Sequence, residues 1–105
     1  MRTNLDSKAA YLLTHQEGKV AVSEADLGKT YKLNGYYLQE KDSFNEKDML
    51  FIKTDSETLV TTSAAFIRTF VEVLDIFGDD VSIRIVEQRS SKNGKKFYLC
   101  EWVES

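Results

Sequence analysis

The chain has 105 residues, with a hydrophobic share of 42% and a charged share of 30%, the balance of one globular domain that can fold without a metal or disulfide staple. Its formal charge of −3 excludes a strongly basic coat for nucleic acid and equally a polyanionic decoy, so local patches rather than totals set the partner. Cys100 is the single cysteine, no apolar run nears the ~20 residues that cross a bilayer, and the stretch after Arg2 lacks the apolar centre of a signal peptide, so a reducing, cytoplasmic setting is expected.

Residues 1–28 are polar around a short apolar island, Ala9-Ala10-Tyr11-Leu12-Leu13. Its period fits a helical turn and a strand equally well, which leaves a short helix, an extra strand or a flexible arm open. Gly18 breaks the pattern, Val20 and Val22 alternate, and Ser23 to Gly28 reads as a capped turn closed by glycine. The main domain is expected over 29–105.

Thr30 to Glu40 predicts a long strand with Tyr31 and Leu33 on one face, and Gly35 marks a bulge or sharp bend within it. Lys41 to Asp48 is a polar loop whose one apolar residue is Phe44. Two short strands follow, Met49 to Thr54 and Thr58 to Thr62, joined as a hairpin by Asp55-Ser56-Glu57. Ser63 stands at a helix N-cap; Phe66, Ile67, Phe70, Val71, Leu74 and Phe77 recur at helical spacing, and Gly78 ends the helix. Val81 to Gln88 alternates as a half-buried strand should. The run Arg89 to Lys96 then holds an Asn93-Gly94 tight turn, and Phe97 to Val103 returns.

This order predicts a β-rich α+β fold. Three strands, one helix and two strands, the first strand long and bent at a glycine, is the order of a five-stranded OB-like barrel with its helix between strands 3 and 4. On Lys29–Glu40, Leu50–Ser63, the helix to Gly78 and the Val81–Val103 hairpin, the chain resembles small single-stranded DNA-binding proteins of phages and mobile elements in Gram-positive bacteria. The resemblance implies a replication-associated protein that binds single strands, DNA in preference to RNA. The acidic, glutamine-rich tail with a terminal phenylalanine found on cellular bacterial single-strand binders is not in this sequence, so recruitment through such a tail is not implied.

Catalysis finds little purchase. His15 lies in a polar stretch and Cys100 in a predicted strand, neither inside a nucleophile motif. There is no CxxC, HxxxH or glycine-rich phosphate loop, and Asp75, Asp79 and Asp80 at the helix end read as turn and solubility residues, so no enzyme activity, metal or cofactor is expected. The basic loop is more telling. Arg89, Lys92, Lys95 and Lys96 fall in a stretch without any acid and can neutralise phosphates, while serine and glycine groups add hydrogen bonds.

Stackable rings separate nucleic-acid binding from mere charge. Alternation along the last strand puts Lys96, Tyr98, Cys100 and Trp102 on one face, expected outward, with Phe97, Leu99 and Val103 expected in the core. Tyr36 and Tyr37 point oppositely, so one of them faces a ligand unless Gly35 twists the strand. Lys53 and Arg84 are candidate groove-lining charges. The leading expectation is thus a single-strand binder with little sequence preference. The other is a protein-binding adaptor or host-enzyme inhibitor, including a nucleic-acid mimic built on the six acids and one base between Asp55 and Asp80. An exposed strand edge would also suit a homodimer.

Overall fold

The computed structural model describes residues 2–41 and 46–104, so Phe44 lies outside the described residues. The elements are β1 (Arg2–Thr3), α1 (Ser7–Thr14), β2 (Val20–Ala21), a 3-10 turn (Val22–Glu24), β3 (Thr30–Gln39), β4 (Met49–Thr54), β5 (Thr58–Thr61), α2 (Ala64–Phe77), β6 (Ser82–Arg89) and β7 (Lys96–Val103). The strands form a curled sheet, a half-barrel, in the order β2-β5-β4-β3-β6-β7, with β1 attached to β3. The β-rich α+β class holds. The count of five strands and one helix does not, because residues 2–28 add β1, α1 and β2 to the same sheet and its outer surface.

The curl originates in β3, which belongs to two pairings. Thr30–Lys32 pair with β6, whereas Leu33–Gln39 pair with β4. Between them the register shifts at Leu33/Gly35. That shift reconciles a parity conflict. Tyr31 and Leu33 are odd, Tyr36 and Leu38 are even, and all four join one buried cluster. A strand without an extra residue would turn one pair to solvent. Gly35 is also where Leu5 crosses the strand: a Cβ there would fall 2.6 Å from Leu5 Cδ2.

Inside the curl lies α2. Its apolar stripe buries Phe66, Ile67, Phe70, Val73 and Leu74 against Leu50, Ile52, Leu59, Ile83 and Ile85. Ser63 Oγ accepts the Phe66 amide at 3.3 Å, satisfying a first-turn donor. At the other end Gly78 takes φ 82°, and its amide donates to Leu74 O at 2.9 Å. Thr69 Oγ1 accepts the Cys100 amide at 2.8 Å, fastening the helix to the free edge of β7.

The sheet's other face carries α1. Phe51 alternates away from Leu50 and Ile52 yet is also buried, set edge-to-face with Tyr37 at 6.3 Å between ring centroids. Ala10 and Leu13 are the buried residues of α1. Asp6 caps the helix, its Oδ1 accepting the Ala9 amide at 2.8 Å. Among the described residues no helix is long and apolar enough to cross a membrane.

Candidate nucleic-acid interface

The β6–β7 tip is built by its own backbone. Ser90 N donates to Lys95 O and Gly94 N to Ser90 O, both at 2.9 Å. Asn93 Oδ1 accepts the Lys95 amide at 3.0 Å, and Gly94 sits at φ 69°, a left-handed conformation that favours glycine. With the turn closed on itself, the side chains of residues 91–96 stand in solvent. Lys92 and Lys95 form no ion pair among the described residues, and Arg89 Nη1 donates to Gly94 O at 3.3 Å. Lys96 Nζ lies 3.3 Å from Glu87 Oε1, so its charge is partly answered. The tip is a compact cationic knob.

Arg84 does not join it. Its guanidinium pairs with Glu101, the residue directly opposite on β7, which uses the charge within the sheet.

The rings of β7 face the other way from the sequence-based expectation. Tyr98 and Trp102 pack against the buried cluster, and Cys100 lies within it. Phe97, Leu99 and Val103, expected in the core, are half-buried on the opposite face. The cause is register. Trp102 is paired with Ile83 and Cys100 with Ile85, and directly opposed residues share a face of a sheet. Since Ile83 and Ile85 are sealed in the core, Trp102 and Cys100 turn inward with them. One face of Trp102 is covered by Phe77, with ring centroids 4.1 Å apart and planes 2° from parallel.

Tyr36 and Tyr37 split as alternation requires. Tyr36 is buried, edge-to-face on Phe70 at 5.6 Å; Tyr37 is half-buried on the α1 side. Lys53, exposed and without an ion pair among the described residues, lines a cleft on that side with Leu12, Leu13 and Gln16. Tyr98 lines a separate groove with Ser23, Val60 and Thr62, where β2 and β5 approach β7. The candidate residues therefore fall into a cationic tip, a tyrosine and a lysine beside α1, and two rings leaning on the core. They do not share one groove. Tyr11, not foreseen as a site residue, lines a further cleft together with Tyr37; only a helical reading of the island would have placed it there.

The chemistry of other groups follows from their surroundings. Burial pushes the Cys100 thiol up to about 12, opposite to the activation a thiolate nucleophile needs. His15 lies stacked on Tyr11 at 4.0 Å with Nδ1 2.9 Å from Tyr11 O. The acids at the α2 end, placed against the helix dipole, have local partners. Asp75 accepts from Arg2 at 2.7 Å, Asp79 from Asn4 at 3.1 Å, and Asp80 from Lys32, whose ammonium holds that carboxyl below its ordinary range. Among the described residues no group of three or more His, Cys, Asp and Glu is placed to hold a metal ion.

Comparison with family models, curated proteins and solved structures finds no match for this chain.

Proposed function

We propose that this chain binds single-stranded nucleic acid, DNA in preference to RNA, with little sequence preference, as a cytoplasmic phage- or mobile-element-type replication protein on an OB-like scaffold. The observation that carries the reading is the β6–β7 tip: Arg89, Lys92, Lys95 and Lys96 on an exposed turn with no acid among them, on a body of net negative charge. Two of these ammonium groups have no anionic partner among the described residues, so their charge is available to phosphate. Supporting it, the meander β3–β4–β5, then α2, then a β6–β7 hairpin returning to β3, is consistent with an OB-like order, in which such loops contact oligonucleotides.

The test is Lys92→Glu with Lys95→Glu, titrated with a labelled single-stranded oligonucleotide by fluorescence anisotropy at several salt concentrations. Each phosphate contact on a single strand contributes about 0.7 to the slope of log K against log salt. Losing two contacts should weaken binding at least tenfold at low salt and flatten the slope by roughly 1.4. Unchanged affinity and slope would remove the tip from the interface.

A second reading, a protein-binding adaptor, is favoured by the α2 end, where Ile76 is 72% and Phe77 45% exposed, an unusual display for large apolar residues on one helix turn. The nucleic-acid mimic form of that reading is disfavoured. Asp55, Glu57, Asp75, Asp79 and Asp80 all accept intramolecular hydrogen bonds, so most of that acidic stretch is tied into the domain.

A further inference from the structure

The cleft between α1 and the β1–β3 pair has a chemistry different from the cationic tip. It measures about 320 Å³ and is lined by Thr3, Leu5, Ser7, Ala10, Tyr11, Thr14 and Tyr37. No charged side chain is among them. With no opposite charge to compensate an ion for lost hydration, the lining favours a neutral group. Its size is at the small end of the roughly 300–1,000 Å³ of small-molecule sites, suited to one planar ring system and too small for a large cofactor.

Two rings wall it. Tyr37 is held rigidly from below, edge-to-face on buried Phe51. Tyr11 is held from one side by His15, stacked at 4.0 Å, and has no other ring partner among the described residues. Tyr11 is nevertheless 60% exposed, so a large, oriented aromatic surface is presented to incoming ligand at small conformational cost.

The polar groups fit the same kind of guest. Thr3 Oγ1 is committed, donating to Tyr36 O at 2.6 Å and accepting the Leu5 amide at 3.0 Å, and Thr14 Oγ1 donates to Tyr11 O at 3.1 Å. The Ser7 hydroxyl and the phenol oxygens of Tyr11 and Tyr37 bond to no described residue. A hydroxyl both donates and accepts, so these three can meet the edge of any base without choosing among them. Outside the cleft, Lys8 follows Ser7 along α1 and Lys53 stands on the opposite flank of the helix. Neither has an acidic partner among the described residues.

We infer that the Tyr11–Tyr37 cleft is a base-binding site, which takes one unstacked nucleobase of the bound strand between two tyrosine rings while Lys8 and Lys53 hold the flanking phosphates. This rests on the nucleic-acid reading above and adds what that reading lacks, since Tyr98 and Trp102 lean on the core. Base–aromatic stacking tolerates every base, in keeping with uncommitted hydroxyls at the edge.

The experiment pairs affinity with location. Wild type, Tyr11→Ala, Tyr11→Phe and the Lys92→Glu/Lys95→Glu variant are titrated with a single-stranded oligonucleotide and with an abasic strand of equal length. A 5-iodouracil strand is then photo-crosslinked and the adduct located by mass spectrometry. Wild type should prefer the base-bearing strand by about tenfold, the size of one stacking contact. Tyr11→Ala should lose that preference, Tyr11→Phe should keep most of it, and the lysine variant should weaken on both strands with the preference intact. The adduct should fall on Tyr11 or Tyr37. A full preference in Tyr11→Ala, or adducts confined to Tyr98 and Trp102, would overturn the cleft and leave the nucleic-acid reading standing. A wild type that binds neither strand would overturn both, whereas Tyr11 holding two copies of the chain together in sedimentation would overturn the cleft alone.

Discussion

The two helices lie on opposite sides of one curled sheet and are held to it in different ways. Helix α2, within the curl, drives Phe66 and Phe70 to near-zero exposure and is capped at both ends by its own chain. Helix α1, on the outside, spans only Ser7–Thr14, buries Ala10 and Leu13, and leaves Tyr11 and Leu12 about three-fifths exposed with a cleft on each flank. A short helix gains little from backbone propensity alone and is stable here through its few contacts with the sheet. The contrast separates two roles. The inner layer holds the fold, and the outer layer leaves side chains exposed at small cost to it.

The strongest way to break this comparison is to remove inner-layer volume. Phe70→Ala deletes a ring that packs beneath Tyr36, and a buried Phe→Ala change costs about 3–5 kcal/mol. Chemical denaturation should show a loss of that size. A loss under about 1 kcal/mol, the range of surface changes, would mean that α2 is not the central support.

The inner layer should also give way in alkali. Burial, aided by the hydrogen bond to Glu57, raises the Tyr31 hydroxyl to about 12, and burial raises the Cys100 thiol to about 12. In the unfolded chain these groups release protons near their ordinary values of 10.0 and 9.0. Between those values and about 12 the folded state binds more protons than the unfolded, so stability falls as pH rises. Below pH 9 the contribution of Cys100 is fully present. Denaturant midpoints should therefore drop from about pH 9 upward, less steeply in Cys100→Ala, and equal slopes in the two proteins would contradict the burial of the thiol.

A smaller effect tests how the outer layer is attached. Gly35→Ala sets a methyl 2.6 Å from Leu5 Cδ2, and such overpacking costs ~1–3 kcal/mol. Because the obstacle is the end of a flexible side chain, the lower end is expected. Adding Leu5→Ala should relieve the clash, so that the two changes together cost less than their sum. Additive losses would place the strain in the β3 bulge itself.

Much of the inner layer was legible because burial writes a period into sequence. The α2 stripe as far as Leu74, its Ser63 cap, the β4–β5 and β6–β7 hairpins and the irregularity at Gly35 follow from local spacing and turn chemistry; Phe77, expected in the core on the same spacing, is 45% exposed. The outer layer was not. Ala9–Leu13 carries apolar residues on both sides of the helix, Leu13 inward and Leu12 outward, which erases the periodicity that would have identified it. The β7 faces were misread for another reason: Tyr98, Cys100 and Trp102 compete with Phe97, Leu99 and Val103 on nearly equal apolarity. Only the register with Ile83 and Ile85, a non-local fact, decides between them. The cationic tip needed no such information, since an exposed turn is specified by its own residues.

The smallest expected effect bears most directly on the division between the layers. Tyr11→Ala removes an exposed ring from α1 and its stack on His15, while alanine is the most favourable residue for a helix interior. The two contributions oppose one another, and surface changes away from caps and cores stay within about 0.5 kcal/mol. Thermal and denaturant unfolding of Tyr11→Ala should thus match wild type, even though the same substitution is expected to abolish the preference for bases over an abasic strand. A destabilisation of 2 kcal/mol or more, the range of core truncations, would show that Tyr11 belongs to the support of the fold, and its exposed ring could no longer be treated as a surface held ready for a ligand.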